Sequence, residues 1–194
     1  NKIMSILEKD NLYIANTYAR FPITIKSGKG SICYDENGKE AHSYDFCITE
    51  APYVYVGGVG LYDGYYLTED LKTYKAPLSD NYAYYSNGVL TLYNFDFSNQ
   101  GYEYFAENFA MIYSEYDLEI NLQGYDNYLT WTKEEKGNGV FVRGNLSFEG
   151  GGGRVYIDVN DTAVYTEGDT FTIIDEGIEV VNADIGIFYH GNAY

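Results

Sequence analysis

Four kinds of side chain in this 194-residue chain have the chemistry to act on another molecule: carboxylates, histidines, cysteines and a recurring set of aromatics. Asp158, Asp161, Asp175 and Glu176 lie close enough in sequence to offer the acid and base of a glycosidase or lyase, where one carboxyl gives a proton while another stays ionised. With 24 acids after residue 40 and no spacing that singles out a pair, they read as a solvated acidic face. Asp158-Val159-Asn160-Asp161 has part of a calcium-loop composition but lacks its glycine and distal glutamate. His42 and His190 are the only histidines, too few for a triad or a zinc site. Cys33 and Cys47 fit no metal or redox spacing and read as small apolar side chains. No catalytic residue, metal or cofactor is therefore expected, and the chain reads as a non-enzyme.

The aromatics are different because they recur in register. Segments 111–120, 139–148, 163–172 and 186–194 superpose, with an aliphatic at Ile112, Val140, Val164 and Ile187 and an aromatic next to it at Tyr113, Phe141, Tyr165 and Phe188. If the aliphatics face a core, strand alternation turns the aromatics outward, stacked about 4.8 Å apart. A sugar ring has an apolar C–H face that packs on such rings, so the stripe is a candidate carbohydrate-binding surface; the other reading is a structural ladder. Trp131, the only Trp, is either a core anchor or a sugar platform.

The spacings of 28, 24 and 23 residues between aliphatic positions suit one turn of a β-solenoid, several of which must stack to bury an inner face. The third position of the repeat, Ser114, Val142, Thr166 and Tyr189, is expected to point inward again. Alternating strands are expected at 118–122 and 155–159. The Gly-Asn and Gly-Asp pairs at 144–145, 168–169 and 191–192 are expected to supply positive φ at the bends. The fold class is thus all-β: a β-solenoid of a few coils over residues 42–194.

Composition separates the first forty residues from the rest. They balance to +1 and hold 3 of the 24 Tyr, whereas the remainder carries −18 of the net −17. Ile23, Ile25, Ile32 and Tyr34 around Ser27-Gly28-Lys29-Gly30 predict a hairpin, so 1–41 is expected to be a hairpin-bearing leader or cap. The acidity excludes nucleic acid and anionic membrane surfaces as partners, and no run is long and apolar enough for a membrane helix. Glycans or another surface protein remain.

Two resemblances add to this. Asn16-Thr17-Tyr18-Ala19-Arg20-Phe21-Pro22, the basic glycine turn and the run YDENGKE at 34–40 resemble the extreme N-terminus of acetylornithine aminotransferases. That family implies pyridoxal phosphate, but its Schiff-base lysine lies far downstream, and Lys72, Lys75, Lys133 and Lys136 have no glycine-rich phosphate cup around them. Transaminase activity is not expected. The runs at 53–70, 87–97 and 117–127 and the repeats after them resemble the repetitive, carbohydrate-binding-domain-like β-helical modules of secreted and surface proteins of gut Firmicutes. That likeness implies a right-handed parallel β-helix displayed outside the cell or on its surface. The expected function is a non-catalytic binding module for carbohydrate, the alternative a structural or adhesive protein that engages another protein, and a polysaccharide-degrading β-helix enzyme comes third.

Overall fold

The computed structural model describes residues 52–174 and 177–191, and the backbone of 25–29, 32–35 and 40–41. Contacts divide the chain into two compact units, Asn1–Glu50 and Ala51–Tyr194. In the first, β1 (Ile25–Lys29) pairs antiparallel with β2 (Ile32–Asp35), with Gly28 opposite Cys33, and β2 with β3 (Glu40–Ala41). The expected hairpin is thus present. Cys47, His42 and the segment resembling an aminotransferase up to Pro22 lie outside the described residues.

The second unit opens with antiparallel strands: β4 (Val54–Val56), β5 (Val59–Leu61), β6 (Tyr65–Leu67), β7 (Thr73–Tyr74) and β8 (Tyr82–Ser86). Winding begins at β9 (Val89–Tyr93), which continues through β10 (Asp96–Ser98), an inserted β11 (Tyr102–Phe105) and β12 (Asn108–Ser114). The next coil is β13 (Leu118–Gln123), β14 (Asp126–Thr130) and β15 (Lys136–Val142). After it come β16 (Leu146–Gly150), β17 (Arg154–Asp158) and β18 (Thr162–Thr166), then β19 (Phe171–Ile174), β20 (Ile178–Asn182) and β21 (Ile185–Tyr189).

These strands stack in parallel on three faces. The first face is β9, β13, β16 and β19; the second β10, β14, β17 and β20; the third β12, β15, β18 and β21. The protein is therefore all-β, with a parallel β-solenoid at its centre. Alternation explains the interior. Leu90, Ile120 and Phe148 stack from the first face, Phe97, Leu129 and Ile157 from the second, and Ile112, Val140 and Val164 from the third, all buried. The expected strands at 118–122 and 155–159 lie in β13 and in β17 and the residue after it. The aliphatic stack departs from expectation at one place, Ile187, which is 45% exposed because no strand follows β21 in the described sheet. Residues 54–86, included in the expected solenoid, are antiparallel instead. They add β8, β6 and β7 to the first face beside β9, and β4 and β5 to the third beside β12.

The glycines of the Gly-Asn and Gly-Asp pairs have a different cause from the one expected. None of Gly144, Gly168 and Gly191 has a positive φ. A Cβ on Gly144 would lie 2.4 Å from the Asp117 amide nitrogen, and one on Gly168 would lie 2.4 Å from the Gly144 carbonyl oxygen. Coils pass too closely at this corner for any side chain. The polar partners brace it: Asp117 Oδ1 accepts the Asn145 N–H at 2.8 Å, and Asn145 Oδ1 accepts the Thr170 N–H at 2.9 Å. The third repeat position also meets the corner, where Thr166 Oγ1 donates to the Gly144 carbonyl at 2.8 Å. Ser114, Val142 and Thr166 are buried as expected, and Tyr189 is half-buried.

Candidate functional site

The expected aromatic row exists. Tyr113, Phe141, Tyr165 and Phe188 are direct neighbours on the third face, their ring centroids 5.7, 4.3 and 4.9 Å apart in that order. Their orientation away from the solenoid interior follows from burial of the adjacent aliphatics. Exposure does not follow from orientation, and here the expectation is corrected: Tyr113 is 2% and Phe141 6% exposed. The insertion in the first coil is responsible. β11 pairs antiparallel with β12 and carries Tyr102 to 4.7 Å from Tyr113 and Tyr104 to 4.3 Å from Phe141, with Tyr55 of β4 stacked 4.0 Å from Tyr102. These rings form a second apolar cluster outside the coil. Only Tyr165, half-buried, and Phe188, 38% exposed, remain open.

The Tyr113 hydroxyl is bound into a polar clasp. It donates to Glu115 and accepts from Arg143 Nε at 3.1 Å, and Arg143 lies 3.3 Å from Glu115 and 3.7 Å from Glu167. Burial, reinforced by the bond to Glu115, pushes its pKa up to about 12, so it is no proton donor or acceptor near neutrality.

Trp131 is the core anchor of the two readings. It is 2% exposed, stacks 5.3 Å from Phe109, and donates from Nε1 to the Glu135 carbonyl at 2.8 Å. The calcium-like run is a loop brace. Asn160 Nδ2 donates to the Lys133 and Glu135 carbonyls at 2.8 and 3.0 Å, and its Oδ1 accepts the Gly137 N–H at 2.8 Å. Asp161 is 3.7 Å from Lys136. Among the described residues no group of three or more His, Cys, Asp or Glu is placed to hold a metal. His190 is exposed beyond β21, and Asp175 and Glu176 lie outside the described residues.

A second aromatic surface was missed in the sequence. Leu67, Ala83, Leu90 and Leu92 point inward, so alternation turns Tyr66, Tyr84 and Thr91 outward on β6, β8 and β9. Cross-strand pairing extends the line on both sides, giving Tyr74, Tyr66, Tyr84, Thr91, Asn121, Glu149 and Ile174, one residue from each of seven adjacent strands. Tyr66 and Tyr84 stack at 4.3 Å, and in the next column Tyr82 and Tyr93 stack at 5.4 Å and 14°. All are half-buried, and the near-parallel rings of each pair face one another across the strands. On the other flank a shallow open groove of about 240 Å³ is bordered by Gly88, Asp117, Glu119, Asn145, Ser147 and Thr172. Glu119 is held above the usual carboxylate range, first by desolvation and then by Glu149.

A sequence signal for this surface was available. Asn87-Gly88 is the strongest short hairpin dipeptide, and both residues have positive φ, 51° and 86°. A two-residue turn there pairs Ser86 with Val89 and so forces Tyr84 opposite Thr91 and Tyr82 opposite Tyr93.

The chain matches no protein family, no curated protein and no solved structure.

Proposed function

We propose that the unit is a non-catalytic carbohydrate-binding module, of the secreted or surface-displayed kind, whose binding surface is the outward side of the first face. The observation that carries this reading is the continuous line from Tyr74, Tyr66 and Tyr84 into Thr91, Asn121 and Glu149. Half-buried tyrosines stacked on one another offer their exposed ring edges and hydroxyls to a sugar, and the adjoining amide, hydroxyl and carboxyl groups offer hydrogen bonds to its hydroxyls. The third-face row contributes only its open end, Tyr165 and Phe188; Tyr113 and Phe141 serve packing.

A glycan array probed with the full chain and with Tyr66→Ala and Tyr84→Ala tests the reading. Binding to a defined set of glycans, lost in both variants, is the expected result. Silence across plant, host and bacterial glycans would overturn it in favour of a surface that meets another protein. Release of reducing sugar from a bound glycan would overturn the non-catalytic part.

A further inference from the structure

We infer that a second copy of this chain docks on the open end of the solenoid, last coil against last coil about a two-fold axis, and that the assembly stops at a dimer. The inference stands apart from carbohydrate binding.

The two ends of the solenoid differ. Where winding begins, antiparallel strands cover the coil: β8 lies beside β9 and β4 beside β12, and Leu90, Phe97 and Ile112 are all buried. Where winding finishes, among the described residues, no strand lies beyond β19, β20 or β21. The inward columns buried at Phe148, Ile157 and Val164 end in Ile173, Val180 and Ile187, which are 43%, 37% and 45% exposed. Ile174, Val181, Ile185 and Phe188 are exposed on the same coil, so it holds seven of the thirteen large exposed apolar residues described. A terminal coil built to face water would be polar at these positions. Edge protection is slight as well. The three strands contain no proline and no lysine, and only β20 has an irregularity, a register shift past Val180.

The occupant follows from what the coils already accept. Inside the solenoid the apolar end of each coil meets another coil of the same three-sided outline, and at the closed end the coil edges accept antiparallel strands. A two-fold axis across the open end supplies both. It sets an identical outline on the last coil and reverses the sense of winding, so each edge strand meets one running the opposite way. Aliphatic side chains then meet aliphatic side chains, as they do one coil further in.

Charge permits this contact. Glu179 is the only charged residue in β19, β20 and β21, and the turns add Asp169 and Asp184 at the rim. No Lys or Arg follows Arg154, so the acidic rim repels its own image across the axis. That repulsion is exposed and screened by salt, whereas the apolar centre is not. The covered end of each copy offers no equivalent surface, so a third copy has no place to add.

Sedimentation equilibrium of the full chain over a concentration series tests the inference. The expected result is a reversible monomer–dimer equilibrium with a dissociation constant in the micromolar range, as suits a small interface, and added salt should tighten it. Ile173→Asp and Ile185→Asp, on two different edge strands, should each weaken association at least about tenfold. Phe105→Asp, an equally drastic change at a residue 71% exposed on β11 of the first coil, should leave it unchanged. Thermal melting of dilute samples establishes that the variants are folded. Hydrogen exchange of the unaltered chain gives a second readout: amides of β19 and β21 should gain protection as concentration rises, while those of β12 should not. A monomer at every concentration, assemblies that grow past two, weakening by salt, or a dimer that survives both Asp variants would overturn the inference.

Discussion

The Tyr104 ring lies 4.3 Å from that of Phe141, and its hydroxyl accepts from Asn138 Nδ2 at 2.9 Å. This contact converts an outward-facing aromatic into a buried one and fixes the inserted strand β11 across the coils. Tyr104→Ala should cost about 2 kcal/mol by stripping apolar cover from Phe141, whereas Tyr104→Phe, which loses only the hydrogen bond, should cost about 1 kcal/mol. Urea unfolding of the two variants measures this. Wild-type stability for Tyr104→Ala would mean that the cover carries no packing energy.

The column Ile112, Val140, Val164 and Ile187 has one chemistry but two environments. Val164 is fully buried, and Val164→Asp places an unpaired charge there, at an expected cost of about 4 kcal/mol or more. Ile187→Asp, on a residue 45% exposed, should cost about 1 kcal/mol. Tyr165→Ser, on the half-buried aromatic beside Val164, should lie nearer the second value. Equal losses for Val164→Asp and Ile187→Asp in denaturant melts would contradict the difference in burial.

Asn127 is fully buried and ties its coil to both neighbouring coils. Its Oδ1 accepts the Phe95 N–H at 2.8 Å, and its Nδ2 donates to the Arg154 carbonyl at 2.9 Å. Asn127→Leu keeps the branching of the side chain but leaves the Phe95 N–H without a partner, so a loss of about 1–3 kcal/mol is expected. Hydrogen exchange should show the Phe95 amide losing protection in particular. An unchanged rate at Phe95 would remove the bond from the account.

Glu119 gives a pH dependence of definite sign. Its pKa in the folded protein is raised, by desolvation first and by Glu149 second, so folding favours the protonated acid. That contribution is present below the ordinary carboxylate pKa and is lost as pH rises through the folded value. Glu119→Gln should therefore raise the melting temperature modestly at pH 7, and the gap should close as pH falls below about 4. A variant less stable than wild type at pH 7 would reverse the sign and assign Glu119 a stabilising partner.

What the sequence determined by itself is the repeating part. Ile112, Val140, Val164 and Ile187 were legible as neighbours, and their aromatic partners as facing the other way, because strand alternation and repeat period are local properties of the chain. The Asn87-Gly88 turn was legible in the same sense, though the tyrosine line it sets was overlooked. The tertiary structure alone decided what lies on top of an outward-facing residue. Tyr113 and Phe141 are buried by rings from β4 and β11, strands far from Phe141 in sequence whose pairing depends on long-range backbone hydrogen bonds. Trp131 was decided likewise, by closure of its loop over Gly137, where a Cβ would come within 2.2 Å of the indole. The same holds for Gly144 and Gly168, whose lack of a side chain answers to the separation of neighbouring coils and not to any local dihedral angle. Periodicity fixes which way a side chain points, and whether water reaches it depends on which distant segment packs there.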